Sequence, residues 1–316
     1  MAVFTPVSPD EARAFIDGYD LGGLTAIAPI AEGVQNTNFR LETGAGRKVL
    51  TLFEGAPDDD DLRFCLGLTD HLAGRDYPAA RVERDSQGRR LGRLNGRSAA
   101  VVDWVEGHGL LHPTPADHRT AGAALARLHL AAADYTATRP DPMGPDAWVS
   151  LLARCEAATA DLAADNPDRA MTLALRPILD RALALRTGGL PSGPIHADYF
   201  PDNVLFSGGA VSGVIDFYFG CTGPLAWDLA TALNAWTFDA VGARDDIAHA
   251  AFLDGYNTVR PLMPAETAAL PALGAASALR FTLTRLHDRL HHDPAWLVTP
   301  KDPQPFFRRI GVWERG

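Results

Sequence analysis

A short polar segment near residue 200 carries side chains whose types and spacing suit phosphoryl transfer. His196, Asp198 and Asn203 follow the pattern H-x-D-x-x-x-x-N, and Asp216 follows a predicted hairpin, directly before Phe217. Such a transfer needs a carboxylate to take the acceptor's proton and hard ligands for a metal ion that neutralises charge. Asp198 is the candidate catalytic base, and Asn203 and Asp216 are candidate Mg²⁺ ligands. The pattern therefore predicts a phosphoryl-transfer site.

The same segment has a simpler interpretation, as a loop whose His196 and Asp198 only satisfy backbone groups. Asp216 would then end a strand, as turn aspartates often do. Motif matches of this kind include false positives, so the surrounding elements must supply the other parts of a nucleotide site.

Two further segments are candidates for nucleotide binding. The first lies between two predicted strands, where a glycine permits a close turn and successive N–H groups would cover phosphates; its candidates are Gly33, Val34, Asn36 and Asn38. An ordinary hairpin turn is the alternative. The second is a connector whose backbone would meet an adenine edge, with candidates Asp103, Trp104 and Val105. Any linker between lobes exposes such groups.

The secondary-structure pattern changes from strands to helices at this connector. Before it, a Ser8–Glu11 capping box predicts a helix, β-type segments predict an antiparallel meander over 25–53, and leucine spacing predicts a helix over 60–74. After it, helix-start signals dominate, interrupted by a hairpin over 204–215. The sequence therefore predicts an α+β, bilobal fold with an N-terminal nucleotide-binding lobe (1–102), a hinge (103–109) and a mainly helical catalytic and substrate-binding lobe (110–316).

The composition excludes several classes of protein. Hydrophobic residues make up 47% and charged residues 22% of 316 residues, which is typical of a folded, soluble chain. A net charge of −10 disfavours nucleic-acid binding, and no apolar run predicts a membrane span or an export signal. Three widely spaced cysteines disfavour disulfide and zinc frameworks, so we expect a cytoplasmic protein.

In their order along the chain, these features resemble the aminoglycoside phosphotransferase and choline kinase superfamily, which has the protein-kinase-like bilobal fold. The shared order is the glycine-bearing loop, the hinge, Leu128-His129, H-A-D-x-x-x-x-N, I-D-F and the W-D-L-A run that contains Asp228. The resemblance implies ATP and Mg²⁺ as cofactors. It also implies that His196 and Asp228 support the catalytic loop structurally; a helix N-terminal charge is the alternative for Asp228.

A closer resemblance is to the bacterial homoserine kinases of this superfamily. It rests on residues 30–39, on 49–54, on 213–218 with 228–236, and on 279–286. It implies L-homoserine as acceptor and O-phospho-L-homoserine as product, a step toward threonine. Thr51 stands where many relatives carry a phosphate-binding lysine, and Lys48, three residues away on the same strand, should face the other way.

An amino-acid acceptor needs an anion for its ammonium and a cation for its carboxylate, and the candidates on one predicted helix are Arg280, Arg285 and Asp288. An intrahelical ion pair between Arg285 and Asp288 is an equally good interpretation of that spacing. Tyr218 is a further candidate for substrate contact, as a pocket wall, and a place in the core is its alternative. Two other functions stay open: a kinase for another small alcohol, such as an aminoglycoside, choline or methylthioribose, and a noncatalytic nucleotide-binding scaffold.

Overall fold

The chain folds into two compact units. The structure, a computed structural model, describes residues 5–30, 36–55, 57–293 and 299–315. One unit comprises Met1–Gly107 and Ser212–Tyr218, and the other comprises His108–Val211 and Phe219–Gly316. The chain first passes from one unit to the other after Gly107, inside the predicted hinge. The return of Ser212–Tyr218 to the first unit differs from the continuous second lobe that the sequence predicts.

Hydrogen bonds within the first unit explain this return. The Val214 N–H donates to the Pro78 carbonyl over 2.7 Å, and the thiol of Cys65 lies 3.6 Å from the Tyr218 carbonyl. Ser212 Oγ donates to the Glu106 carbonyl over 2.6 Å. Asp216 therefore belongs to the first unit.

The first unit is built on a five-stranded antiparallel sheet of order β1-β2-β3-β5-β4. Its elements in chain order are α1 (Pro9–Ile16), β1 (Leu24–Pro29), β2 (Thr37–Thr43), β3 (Gly46–Phe53), α2 (Asp59–Ala73), β4 (Gly92–Leu94) and β5 (Arg97–Asp103). The predicted capping box is present, since Ser8 Oγ accepts from the Glu11 N–H and the Glu11 carboxylate accepts from the Ser8 N–H. Leu62 and Leu66 of α2 pack against Phe53.

The second unit is mainly helical. Its elements in chain order are α3 (Pro115–Ala131), α4 (Pro145–Thr159), α5 (Pro167–Leu183), β6 (Ser192–Ile195), β7 (Val204–Ser207), β8 (Ala210–Val214), β9 (Cys221–Pro224), α6 (Leu225–Trp236), α7 (Asp246–Val259), α8 (Pro264–Leu290) and α9 (Gln304–Arg315). Strand β8 ends in the first unit. The α+β class predicted from the sequence is confirmed. None of the described helices has the length and apolar character that crossing a membrane requires.

Helices α3 and α7 lie in unusually close contact because glycines face the partner backbone. A Cβ at Gly122 would stand 2.1 Å from the Phe252 carbonyl oxygen, and one at Gly255 would stand 1.9 Å from the Arg119 carbonyl oxygen. Only glycine fits at such a distance. The close contact brings His129 of α3 and Tyr256 of α7 together.

Two short β elements flank the polar segment that contains Asp198. Strand β6 leads into it and pairs antiparallel with β9. The β7–β8 hairpin follows it and turns at Gly208 and Gly209, which both have positive φ (59° and 80°) as type I′ turns require. The hairpin was predicted; the β6–β9 pair was not.

Candidate active site

The carboxylate of Asp228, on α6, anchors the loop that follows β6. Asp228 is fully buried and accepts hydrogen bonds from the backbone N–H groups of His196 (2.9 Å) and Ala197 (2.8 Å). Ala197 has φ of +60°, a left-handed conformation that is strained for a residue with a Cβ. The loop conformation immediately before Asp198 is thus fixed by hydrogen bonds to a buried anion.

Asp228 stays charged because His129 donates to it. Burial alone raises the pKa of the Asp228 carboxyl, but the hydrogen bond from His129 lowers that pKa below its ordinary value. His129 Nε2 lies 3.0 Å from Asp228 Oδ2. A charged acceptor makes stronger hydrogen bonds to the two loop amides than a neutral one would.

A chain of buried polar groups sets the tautomer of His129. Arg260 donates from Nη1 to the Tyr256 hydroxyl (3.0 Å), and that hydroxyl lies 2.8 Å from His129 Nδ1. The Asp228 carboxylate can only accept, so Nε2 carries the proton, and Nδ1 of the neutral imidazole accepts from the Tyr256 hydroxyl. Glu266, which is fully buried on α8, accepts from Nη2 of the Arg260 guanidinium over 2.9 Å. The support of the loop therefore extends through α7 to α8.

Asp198 and Asn203 face each other across the loop. Asn203 Nδ2 donates to the Asp198 carbonyl (2.9 Å) and to its carboxylate Oδ2 (3.2 Å), while the Asp198 N–H donates to His196 Nδ1 over 3.2 Å. Because the Asn203 amino group is used in this way, the amide oxygen is the end that remains for a metal ion. Burial raises the pKa of the Asp198 carboxyl, and the positive charge of Arg280 opposes that rise.

The two candidate arginines of α8 have different surroundings. Arg280 is buried and donates from Nη1 to the Ala197 carbonyl over 2.7 Å. Arg285 is partly exposed, stacks its guanidinium 4.4 Å from the centroid of the Phe306 ring, and donates to the Asp302 carbonyl over 3.2 Å. Arg285 thus turns toward Asp302, which is not the ion pair with Asp288 that the sequence spacing allows.

In the first unit, Thr51 forms a polar cluster with Asn38 and Tyr218. Thr51 and Asn38 are cross-strand partners, and Thr51 Oγ1 donates to Asn38 Oδ1 over 2.7 Å. The Tyr218 side chain hydrogen-bonds to Thr51, and its ring packs edge-on against Phe53 at 4.9 Å. Burial raises the pKa of Tyr218. The place of the missing lysine is therefore occupied by a neutral hydrogen-bonded cluster.

Lys48 faces the other side of that strand from Thr51, as predicted, and two carboxylates hold it there. Its ammonium lies 2.5 Å from Glu83 Oε1 and 2.5 Å from Asp103 Oδ1. The Asp103 N–H donates to the Arg81 carbonyl (2.9 Å), and the Trp104 N–H donates to the Arg47 carbonyl (3.2 Å). Of the three residues predicted to meet an adenine edge, Asp103 and Trp104 thus have their amide hydrogens engaged within the first unit.

The predicted site residues therefore fall into two groups. The second unit brings together His196, Asp198, Asn203, Asp228 and Arg280, with Arg285 one turn further along α8. The first unit holds Asn36, Asn38, Asp103, Trp104, Val105, Tyr218 and Asp216; Asp216 is exposed with φ of +63°. Gly33 and Val34 lie outside the described residues. Sequence reasoning missed Tyr256, Arg260 and Glu266, which no local motif marks.

Comparison with known proteins identifies the family. The phosphotransferase enzyme family APH matches residues 26–262. The chain belongs to this family. It is 44% identical to the homoserine kinase of Acidiphilium cryptum (strain JF-5) over 313 residues, which cover 98% of this chain and 96% of that protein. It is 45% identical to the homoserine kinase of Methylobacterium nodulans over 316 residues, 100% of this chain and 97% of that protein. The resemblance predicted from the motifs is confirmed.

Solved structures show the same fold. Amicoumacin kinase hAmiN, in complex with AMP-PNP, Ca²⁺ and Ami, aligns with a TM-score of 0.74 at 12% identity, covering 98% of this phosphotransferase and 94% of that chain. A microcompartment-associated aminopropanol kinase aligns with a TM-score of 0.72 at 20% identity, covering 98% and 97%. The predicted protein-kinase-like fold is confirmed.

Proposed function

We propose that this phosphotransferase transfers the γ-phosphoryl group of ATP to the side-chain hydroxyl of L-homoserine, giving O-phospho-L-homoserine and ADP. The observation that carries the proposal is the pairing of Asp198 with Asn203 on a loop fixed by Asp228. Similarity over nearly the whole chain to proteins named homoserine kinase supports the choice of acceptor.

Asp198 is the proposed base. A homoserine hydroxyl is a weak nucleophile until its proton leaves, and the free carboxylate oxygen of Asp198 would accept that proton as the oxygen attacks the γ-phosphorus. Burial raises the pKa of this carboxyl, which makes it a better proton acceptor than an ordinary aspartate. The hydrogen bond from Asn203 fixes the rotation of the carboxylate and leaves its other oxygen for the acceptor.

Asn203 and Asp216 are the proposed ligands of Mg²⁺. An amide oxygen and an exposed carboxylate are hard oxygen donors of the kind that Mg²⁺ binds, so the residues fit the ion. When bound, Mg²⁺ neutralises charge on the phosphate oxygens during transfer. The remaining task of the chain is to hold the phosphates and the acceptor in line.

We propose that Asn38 supplies part of the phosphate binding that relatives obtain from a lysine at the position of Thr51. Its amide oxygen accepts from Thr51, so its amino group points away from that contact and would donate to a phosphate oxygen. A neutral donor contributes less to phosphate binding than an ammonium. The loop that contains Gly33 and Val34, next to Asn36, would supply further N–H donors, and the hinge residues Asp103, Trp104 and Val105 would meet the adenine base.

Arg285 is the proposed partner of the homoserine carboxylate. It is partly exposed, and the charge of Asp198 acts on its guanidinium: burial lowers the pKa of Arg285, and Asp302 and Asp198 oppose that change. An arginine within the electrostatic reach of the base is placed to bind an acceptor whose hydroxyl meets that base. Tyr218, in the first unit, is the other proposed substrate contact.

ADP release with a panel of acceptors tests the substrate. The panel is L-homoserine, serine, choline, an aminoglycoside and methylthioribose, each with Mg·ATP. We expect the highest kcat/KM with L-homoserine. A clear preference for another alcohol would replace homoserine by that acceptor, and ATP binding without transfer to any alcohol would indicate a noncatalytic scaffold.

Asp216→Ala is expected to weaken Mg·ATP binding by at least about 10- to 100-fold, the usual cost of losing even a residue that only supports a metal ligand. The reason is the loss of the one carboxylate assigned to the metal. Titration of the KM for ATP against free Mg²⁺ measures the effect. Asp60→Ala, which removes an exposed carboxylate from the same unit, is the control and should leave the Mg²⁺ dependence unchanged. A Mg²⁺ dependence in Asp216→Ala equal to that of the wild type would remove Asp216 from the metal site.

A further inference from the structure

Arg280 is the most enclosed cation near Asp198. Only 2% of its surface is exposed, and its guanidinium lies over two aromatic rings, 4.6 Å from the centroid of Phe281 and 5.4 Å from that of Phe219. Its Nε has no access to solvent. A substrate carboxylate needs an accessible edge of the guanidinium, which these contacts do not leave. The burial of Arg280 therefore points to a role other than the substrate contact predicted from the sequence.

A hydrogen bond from this guanidinium ends on the catalytic loop. Nη1 donates to the Ala197 carbonyl over 2.7 Å, while the Ala197 N–H is held by Asp228 Oδ1 over 2.8 Å. Ala197 is thus bound at both of its peptide groups, from α8 on one side and from α6 on the other. The bonds act on a residue whose φ of +60° costs about 1 kcal/mol in alanine relative to glycine.

We propose that Arg280 is a positioning residue: with Asp228 it holds Ala197 in its left-handed conformation, and so sets the direction in which the next residue, Asp198, presents its carboxylate. A strained conformation persists only where surrounding contacts enforce it. Without the bond from Arg280, the peptide between Ala197 and Asp198 is free to rotate toward a relaxed conformation, and the carboxylate rotates with it.

The role rests on the proposed function of Asp198 as base, but its test does not depend on homoserine. Background hydrolysis of ATP, in which water is the acceptor, uses the same carboxylate and no acceptor carboxylate. Arg280→Met removes the donors and keeps a long apolar side chain between the rings. We expect kcat to fall about 10- to 100-fold, the range for a lost hydrogen bond from a charged donor, with homoserine and water alike and with little change in the KM for homoserine.

Two comparison variants separate positioning from other effects. Arg285→Met, at the proposed contact with the substrate carboxylate, should raise the KM for homoserine, which Arg280→Met should not do. Arg309→Met is the comparison for stability: Arg309 is also buried, is stacked on Phe306, and donates to the Asn234 carbonyl of α6 and not to the loop. Because Arg285 stacks on the same ring, kcat of this variant is measured at saturating homoserine. Arg309→Met should lower the melting temperature and leave kcat within about twofold of the wild type. Arg280→Lys, which keeps the charge, replaces Arg280→Met if the latter does not fold.

The decisive measurement is the double variant Ala197→Gly with Arg280→Met. Glycine adopts positive φ without strain, so it should restore about fivefold of the lost kcat, as expected when the cost of the left-handed conformation is removed. A rise in the KM for homoserine with hydrolysis intact would instead make Arg280 a substrate contact. Wild-type kcat in folded Arg280→Met, or no recovery on adding Ala197→Gly, would also overturn the proposal.

Discussion

Asp198→Asn is expected to lower kcat about 10³-fold while Mg·ATP still binds, because general-base catalysis contributes 10²- to 10⁴-fold. Asparagine has nearly the same shape and keeps an oxygen that Asn203 Nδ2 reaches, so the loop should stay folded. The amide cannot take a proton from the acceptor hydroxyl. Steady-state kcat with homoserine and ATP affinity measured by calorimetry separate the two effects.

The matched control for Asp198→Asn is Asp202→Asn, four residues further along the same loop. Asp202 is exposed, and its charge also acts on the Asp198 carboxyl. The control removes one negative charge from the same region without removing the base, and we expect kcat to stay within a few-fold of the wild type. Wild-type turnover in Asp198→Asn would require another base. Equal losses in both variants would indicate that charge near the loop matters more than proton transfer.

Sequence predicts well those parts of the fold that depend on local patterns of residues. Ser8 and Thr114 begin helices with complete capping boxes, and β2 alternates in side-chain burial as half-buried strands do. The pairing of β6 with β9 was missed because Ser192–Ile195 and Cys221–Pro224 are short, rich in glycine and proline, and pair only across the sequence between them. Tertiary contacts make them strands.

The candidate site likewise combines residues that a local motif predicts with residues that only tertiary contacts bring to the site. His196, Asp198 and Asn203 lie within eight residues, so their spacing alone indicates a shared loop. Their supports lie far along the chain: Tyr256, Arg260 and Glu266 are connected to the loop through His129 and Asp228.

The side-chain direction of an arginine on α8 is another property that spacing does not fix. The distance from Arg285 to Asp288 along the helix suits an ion pair, but the ring of Phe306 on α9 holds the guanidinium toward Asp302. Such a contact depends on how α8 and α9 pack, and helical periodicity does not encode that.

Asp228→Asn is expected to lower the free energy of unfolding by about 3–5 kcal/mol, the range for breaking a buried, paired charge. Asp228 has two oxygens that accept from two loop amides and from His129. An asparagine keeps one acceptor and turns an amino group toward a remaining donor. At least one buried N–H is then left without a partner. Urea denaturation measures the change, and the m-value shows whether the native state remains compact.

The control for Asp228→Asn is Asp245→Asn, because Asp245 also accepts from two backbone N–H groups, those of Ile247 and Ala248 (2.9 and 3.0 Å). It does so at the exposed N-cap of α7, where asparagine caps as well as aspartate and water satisfies any group left over. The same chemical change should therefore cost less than about 0.5 kcal/mol there. If the two variants lost equal stability, the loop would not depend on a buried charge. If Asp228→Asn is the less stable variant but remains folded, its kcat should fall by more than the fraction of unfolded protein explains. The reason is that the amides of His196 and Ala197 lose the carboxylate that anchors the loop before Asp198.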